Sequence, residues 1–234
     1  MTSADFEIIK FDDRIFFDDG KKLVLFDSGF FKGMGKNSIS PDSMIGPFHV
    51  EKSSFAEQFI NLSVDGKNVS AIFNPMDGFN CQLKGNTLTI WNHATTMPEH
   101  EYFFEFCAPS LPILEGCING KKRRLFFDSG ARMTMFGERA LAAEKIRTYS
   151  EYMAMNGIYE ELEVYKLQLT FPNGFSYEGD GALVENPMYL TAARCMGIDA
   201  MLGIDIFNSF DLFIAAKGAK RGIALLKKSP SVSQ

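Results

Sequence analysis

The stretch from Leu125 to Thr134 reads Leu-Phe-Phe-Asp-Ser-Gly-Ala-Arg-Met-Thr, and its chemistry decides the fold. An apolar run of this kind is typical of a buried strand, and here it delivers one carboxylate, Asp128, into a turn. Glycine at position 130 indicates a backbone geometry that a side chain would forbid. Ser129 supplies a hydroxyl beside the carboxylate. A single loop of this kind is only a turn with an acid, so its meaning depends on a second copy.

A second copy of the loop, Asp27-Ser28-Gly29, lies in the first half of the chain. Each loop follows a Gly-Lys-Lys turn and an apolar run, at Gly20-Lys21-Lys22 and at Gly120-Lys121-Lys122. Further along, the segment Ala71 to Met76 echoes the segment Ala182 to Met188. Echoes in the same order indicate an internal duplication with two related halves, of which the first is pared down.

Most apolar runs are short, and they are rich in β-branched or aromatic residues. Examples are Thr87 to Trp91 and Leu167 to Phe171, and turn signals such as Asn-Gly and Asp-Gly separate such runs. This pattern is typical of a mostly β protein. Two helices are predicted in addition, over Glu138 to Ile146 and over Tyr189 to Met196, because these segments contain good helix formers.

Two facing Asp-Ser-Gly loops would bring two carboxylates together. Two carboxylates in contact cannot easily both ionise, so they share one proton and titrate as a pair. The charged member can then take a proton from water, while the protonated member hydrogen-bonds the carbonyl under attack. This chemistry hydrolyses a peptide bond with no metal and no covalent intermediate.

The second half resembles the retropepsin-like aspartic proteases. The whole chain, with its two loops, resembles a two-lobed, bacterial-type member of the pepsin-like and retropepsin-like proteases. Their active-site segment reads as a hydrophobic pair, Asp-Thr/Ser-Gly-Ala, two free positions and Ser or Thr, and Thr134 falls on the last position. The segment Leu202 to Phe207, followed by Phe210-Asp211-Leu212, resembles the family's second hallmark, an apolar pair and Gly near the end of the domain. The resemblance implies an all-β fold of pepsin-like or retropepsin-like β-barrel lobes, two lobes in one chain, with a few short helices.

The predicted lobes divide the chain after residue 105. Residues 1–105 would form the pared-down N-terminal lobe and residues 106–234 the C-terminal retropepsin-like lobe, with Asn92 to Pro112 as the connection. The first half departs from the family pattern, because Phe30 replaces a small residue and Gly33 stands where Ser or Thr is expected. Its remnant of the second hallmark would be Ile72-Phe73-Asn74.

The resemblance implies Asp27 and Asp128 as the catalytic carboxylates. The hairpin predicted from Tyr149 to Leu169, with its turn at Asn156-Gly157, would be a flap over the substrate. The residues that would support the active-site loops are Ser28, Gly29, Ser129, Gly130, Ala131 and Thr134.

Composition excludes several other function classes. The net charge is −5 and basic runs are short, so we expect no nucleic-acid partner. No stretch approaches the roughly 20 apolar residues of a membrane span, so we expect no membrane partner. The histidines are scattered and form no metal-ligand spacing, so neither a metal nor a cofactor is expected. The residues Met1 to Lys10 do not resemble a signal peptide, which favours a cytoplasmic protein; export without such a signal, or a trimmed chain, stays open.

The sequence therefore predicts an aspartic endopeptidase that acts on a peptide or protein substrate, as a monomer. One alternative is a homodimeric retropepsin, in which Asp128 pairs with Asp128 of a second chain and the first half is accessory. Another alternative is a catalytically inactive module of the same fold that binds peptides or proteins.

Overall fold

The computed structural model describes residues 1–29, 34–35, 44–49, 51–52, 63–64, 66–153 and 158–227. Short apolar runs form strands throughout these ranges, as the alternation of side chains along a pleated strand predicts. The strands up to residue 105 are β1 (Ser3–Phe11), β2 (Arg14–Asp18), β3 (Leu23–Phe26), β4 (Met34–Gly35), β5 (Met44–Ile45), β6 (Phe48–His49), β7 (Glu51–Lys52), β8 (Ser63–Val64), β9 (Lys67–Phe73), β10 (Asn80–Lys84), β11 (Thr87–Trp91) and β12 (Tyr102–Glu105). The later strands are β13 (Ile113–Ile118), β14 (Lys121–Phe127), β15 (Thr134–Phe136), β16 (Lys145–Met153), β17 (Ile158–Thr170), β18 (Ser176–Leu183), β19 (Ala200–Leu202), β20 (Phe210–Ala215) and β21 (Gly222–Lys227).

Helices are few and short in the described part of the chain, so the predicted all-β class is confirmed. The α-helix Pro187–Met196 begins where the Asn186 side chain accepts a hydrogen bond from the Met188 N–H at 2.8 Å. It ends at Gly197, whose φ of 64° is the left-handed conformation that glycine adopts without strain. The described ranges also contain short 3-10 helices at Pro75–Asp77, Arg139–Leu141 and Ile204–Phe207.

The two halves repeat the same strand pairings. In the first half β3 runs parallel to β9, β9 pairs antiparallel with β4, and β4 runs parallel to β7. In the second half β14 runs parallel to β19, β19 pairs antiparallel with β15, and β15 runs parallel to β18. The internal duplication predicted from the sequence is therefore visible in the hydrogen-bonded sheets.

One sheet joins the halves. Its strand order begins β12-β21-β20-β10-β11-β1 and continues through β2 and β3 to β9, β4 and β7. The halves meet where β10 pairs with β20, so that Gln82 lies opposite Phe213. Around this pair the arrangement is symmetric, with β11 and β1 beyond β10 and with β21 and β12 beyond β20. β12, which precedes the predicted lobe boundary, pairs with β21 of the second half. The boundary after residue 105 stays a prediction.

Buried phenylalanines fill the space behind the Asp-Ser-Gly loops. Phe26 packs against Phe73 with ring centroids 6.2 Å apart, and Phe127 packs against Phe207 at 5.5 Å. All four rings are almost completely buried and belong to one core cluster that spans both halves. Because full burial of such a side chain contributes roughly 1.5–3 kcal/mol, these rings help to hold the strands that carry the loops.

Two predictions of local structure were wrong. The helix predicted over Glu138 to Ile146 is only the 3-10 turn Arg139–Leu141, because β16 already begins at Lys145 and pairs with β17. Sheet pairing overrides helix propensity there. The echo between Ala71 to Met76 and Ala182 to Met188 does not mark equivalent positions either.

That echo comes from helix capping. Asn74 and Asn186 each cap a helix, each followed by a proline, and each accepts a hydrogen bond of 2.8 Å from the N–H two residues on. The true counterpart of Phe73 is Leu202, because β9 and β19 occupy the same place beside β3 and β14.

The predicted hairpin is present as the antiparallel pair β16 and β17, which remain paired as far as Met153 and Ile158. The predicted flap residues Asn156 and Gly157 lie outside the described residues, as do Phe30 and Gly33. Within the described ranges, no helix is long and apolar enough to cross a membrane.

Candidate active site

The two Asp-Ser-Gly loops meet between the halves of the chain, and each is held from behind in the same way. The Asp27 N–H donates to the carbonyl of Phe73 at 3.0 Å, and the Asp128 N–H donates to the carbonyl of Leu202 at 3.0 Å. The strands β9 and β19 thus extend their parallel pairing by one hydrogen bond into each loop. Both aspartates therefore lie at the ends of strands that the core already holds.

Four hydrogen bonds from two buried serines lock the loops together. The Ser28 N–H donates to Ser129 Oγ at 2.9 Å, and the Ser129 N–H donates to Ser28 Oγ at 3.0 Å. Each hydroxyl in turn donates to a carbonyl of the other half: Ser28 Oγ to Phe127 at 3.2 Å, and Ser129 Oγ to Phe26 at 3.2 Å. The arrangement has two-fold symmetry, so each loop fixes the other.

Each carboxyl group lies against the glycine of the opposite loop. A Cβ added to Gly29 would lie 2.1 Å from Cγ of Asp128, and one added to Gly130 would lie 2.5 Å from Cγ of Asp27. Neither glycine has a positive φ, so the predicted reason for glycine was wrong: close approach of the carboxyl, rather than backbone geometry, excludes a side chain.

Backbone groups orient the carboxylates. The Gly29 N–H donates to Asp27 Oδ1 and the Gly130 N–H donates to Asp128 Oδ1, both at 2.8 Å. Burial raises the pKa of Asp128 above its ordinary value, although hydrogen bonds from Asp27 and from the backbone of Gly130 and Ala131 act in the opposite direction. A raised pKa on one of two hydrogen-bonded carboxyls is the condition under which the pair holds a single proton.

The second hallmark segment packs behind the Asp128 loop. The Ile204 N–H donates to the carbonyl of Ala131 at 3.1 Å, and a Cβ on Gly203 would lie 2.4 Å from the backbone carbon of Met133. Thr134 is fully buried on β15, and no hydrogen-bond partner for its Oγ1 is found among the described residues. In the first half, Asn74 takes the place of Gly203 at the start of the corresponding 3-10 helix.

A buried ion cluster beside the loops was missed by sequence reasoning. Arg14 donates to the carbonyl of Gly130 through Nε at 3.1 Å and to Glu151 Oε1 through Nη2 at 2.7 Å. Arg132 contacts the same Glu151 through Nε at 3.2 Å and also pairs with Asp12. The position of Arg132 directly after Asp-Ser-Gly-Ala was a usable signal, whereas nothing local marks Arg14 or Glu151.

A second buried acid was also missed. Burial raises the pKa of Asp205 from 3.8 to about 6, and the Tyr177 hydroxyl donates to its Oδ2 at 2.9 Å. Asp205 Oδ1 is buried without a described hydrogen-bond partner. Over the described ranges, no group of three or more His, Cys, Asp or Glu residues is placed to hold a metal ion.

Comparison with known proteins places the fold. The chain is similar to the crystal structure of an aspartic proteinase from Irpex lacteus, with a TM-score of 0.55 over 100% of both chains and 9% sequence identity. The fold is therefore similar to that of an aspartic proteinase, and at this identity the likeness shows the fold alone. No protein-family model matches the chain, and no curated protein matches it by sequence.

Proposed function

We propose that the protein is an aspartic endopeptidase with Asp27 and Asp128 as its catalytic carboxylates. The observation that carries this proposal is the symmetric exchange of hydrogen bonds between Ser28 and Ser129, which brings the two carboxyl groups into contact. Two unrelated surface turns are not expected to have matching hydrogen-bond donors, hydrogen-bond acceptors and glycines.

The reaction needs one proton on the pair. The ionised carboxylate removes a proton from a water molecule as the water oxygen attacks the peptide carbonyl, and the protonated carboxyl donates its proton to the carbonyl oxygen. On collapse of the tetrahedral gem-diol the C–N bond breaks, and the carboxyl that took the proton from water donates it to the leaving nitrogen. The other carboxylate takes a proton from one gem-diol hydroxyl, which restores the single proton on the pair. The raised pKa of Asp128, caused by its burial, supports this scheme because it favours retention of a proton on the pair.

The substrate in this proposal is an extended peptide segment that lies between the halves and binds mainly through its backbone. Because both carboxyls come from one chain, a monomer is sufficient for catalysis. Hairpin β16–β17, next to the Asp128 loop through Glu151 and Arg132, would cover the substrate.

The test is hydrolysis of an unstructured protein from about pH 3.5 to about pH 7.5, with wild type, Asp27→Asn and Asp128→Asn. The matched control is Asp5→Asn, which makes the same change at an exposed position on β1. We expect both dyad variants to lose at least about a thousandfold in kcat/KM and the control to keep its activity. A statine-containing transition-state mimic should inhibit the wild type.

Other outcomes would reject the proposal in distinct ways. If only Asp128→Asn abolishes cleavage and the active species has twice the mass of the chain, a homodimeric dyad replaces the proposed one. If wild type cleaves nothing across this pH range, the chain is a binding module of the same fold rather than an enzyme.

A further inference from the structure

The ion cluster beside the active-site loops links three separate parts of the chain. Arg14 begins β2 of the first half, Arg132 follows the Asp128 loop, and Glu151 lies on β16 of the hairpin. Glu151 is 2% exposed and the Arg14 side chain 10% exposed, so their contact is shielded from water and salt. Exposed ion pairs contribute little, but losing one partner of a buried pair is costly.

Glu151 is the centre of this cluster. Its Oε1 accepts from Arg14, and its Oε2 accepts from Arg132 and from the Tyr149 hydroxyl. The Arg132 guanidinium also lies over the Tyr149 ring, 4.5 Å from the centroid. Arg14 donates to the Gly130 carbonyl of the Asp128 loop, and Arg132 follows that loop directly in the chain.

The cluster is asymmetric although the two loops are symmetric. Among the described contacts, the Gly130 carbonyl accepts a hydrogen bond from the cationic Arg14 of the other half, whereas no cationic donor is found at Gly29. Burial is the main influence on the pKa of Asp128 and raises it, and the charge of Arg14 acts in the opposite direction. Glu151 forms an ion pair with Arg14 and so offsets that charge. The charge balance beside Asp128 therefore depends in part on Glu151, which lies on strand β16 of the hairpin.

We infer that Glu151 is a positioning residue, which holds hairpin β16–β17 against the Asp128 loop through Arg14 and Arg132 and balances the positive charge beside that loop. This inference rests on the proposed function only in assigning Asp128 to catalysis. One carboxylate supports both the position of the hairpin and the charge balance at the loop, and substitutions that keep the charge separate these two effects.

Charged and titratable groups of the described residues face both Asp128 and Glu151, and the charge substitutions are interpreted against them. Asp27 and Arg14 act on Asp128, and the Tyr189 hydroxyl on the α-helix lies within its electrostatic reach. Among the described contacts, Glu151 accepts hydrogen bonds from Arg14, Arg132 and Tyr149, and it lies within electrostatic reach of Asp12.

The experiment measures the pKa of the Asp128 carboxyl by carbon-13 NMR in wild type, Glu151→Gln, Arg14→Gln and Arg14→Lys. Glu151→Gln should lower this pKa and Arg14→Gln should raise it, each by about 0.5 or more, because a nearby negative or positive charge is removed. Arg14→Lys keeps the charge and should leave the pKa unchanged. The control is Glu161→Gln, an exposed carboxylate on β17 of the same hairpin.

Hydrogen exchange tests the positioning. Amides paired between β16 and β17 should exchange at least about tenfold faster in Glu151→Gln and in Arg14→Lys, and at the wild-type rate in Glu161→Gln. If Glu151→Gln does not fold, Tyr149→Phe removes one donor to Glu151 without changing any charge, and faster exchange in the hairpin is again expected.

Shifts of the Asp128 pKa in the same direction for Glu151→Gln and Arg14→Gln, or exchange rates equal to the control, would overturn the inference. Neither measurement requires hydrolysis. Should wild type prove inactive, the proposed function would fail while this inference would still be decided. In an active enzyme, the acidic limb of the kcat/KM profile should follow the NMR shifts, and a rise in KM should accompany the looser hairpin.

Discussion

Removal of one serine hydroxyl should weaken the junction of the two halves. In Ser129→Ala, the Ser28 N–H loses its acceptor and the Phe26 carbonyl loses a donor. Both serines are almost completely buried, with exposures of 1% for Ser28 and 0% for Ser129, so water cannot readily replace the missing oxygen. The substitution therefore measures how much the hydrogen bonds between the two loops contribute to the free energy of unfolding.

The magnitude follows from the two bonds. Each lost bond removes roughly 1 kcal/mol, and a buried group left without a partner costs about 1–3 kcal/mol, so we expect a loss of about 2–5 kcal/mol in the free energy of unfolding. Ser28→Ala should cost a similar amount, because the bonds it removes are the two-fold equivalents.

Urea unfolding followed by tryptophan fluorescence is a suitable assay. The single tryptophan, Trp91, lies on β11 and packs against Phe213 of β20 at 6.1 Å, so it reports on the sheet that joins the halves. Ser209→Ala, at an exposed position, is the matched control and should change stability by less than about 0.5 kcal/mol. If Ser129→Ala were no more destabilising than this control, the argued role of the lock would be refuted.

Further predictions concern the glycines and the second buried acid. Gly29→Ala or Gly130→Ala should separate the carboxyls and reduce kcat/KM by at least about a hundredfold, since the new methyl group would overlap the opposite carboxyl; unchanged kinetics would disprove this packing. Gly203→Ala should destabilise the fold by at least about 1–3 kcal/mol, because its Cβ would overlap the Met133 backbone, and wild-type stability in urea would contradict the argument. Because burial raises the pKa of Asp205, this residue contributes to the free energy of unfolding in full below pH 3.8, and the contribution is lost as the pH rises to about 6. The contribution should be about 3 kcal/mol and should be absent in Asp205→Asn. Equal pH dependence of unfolding in wild type and Asp205→Asn would refute the shift.

The sequence was a good guide wherever local pattern sets local structure. An apolar run that ends in Asp-Ser-Gly predicts a strand and a turn, and both copies form as predicted at Asp27 and Asp128. The α-helix at Pro187–Met196 was found for the same reason, since its helix formers are local. The helix predicted over Glu138 to Ile146 failed, because its last residues belong to β16 and pair with β17 in the hairpin.

Within the candidate site, the sequence determined by itself which residues carry the carboxyls, hydroxyls and glycines. The tertiary structure alone decided their partners. The serine hydroxyls bond across the halves, and each glycine is required by the opposite carboxyl. The counterpart of Phe73 is Leu202, which lies outside the echoed segment Ala182 to Met188. Arg14 and Glu151 meet although they are 137 positions apart. The physical reason is that strands and turns depend on neighbouring residues, whereas hydrogen bonds and buried charges between distant segments depend on how the sheets pack.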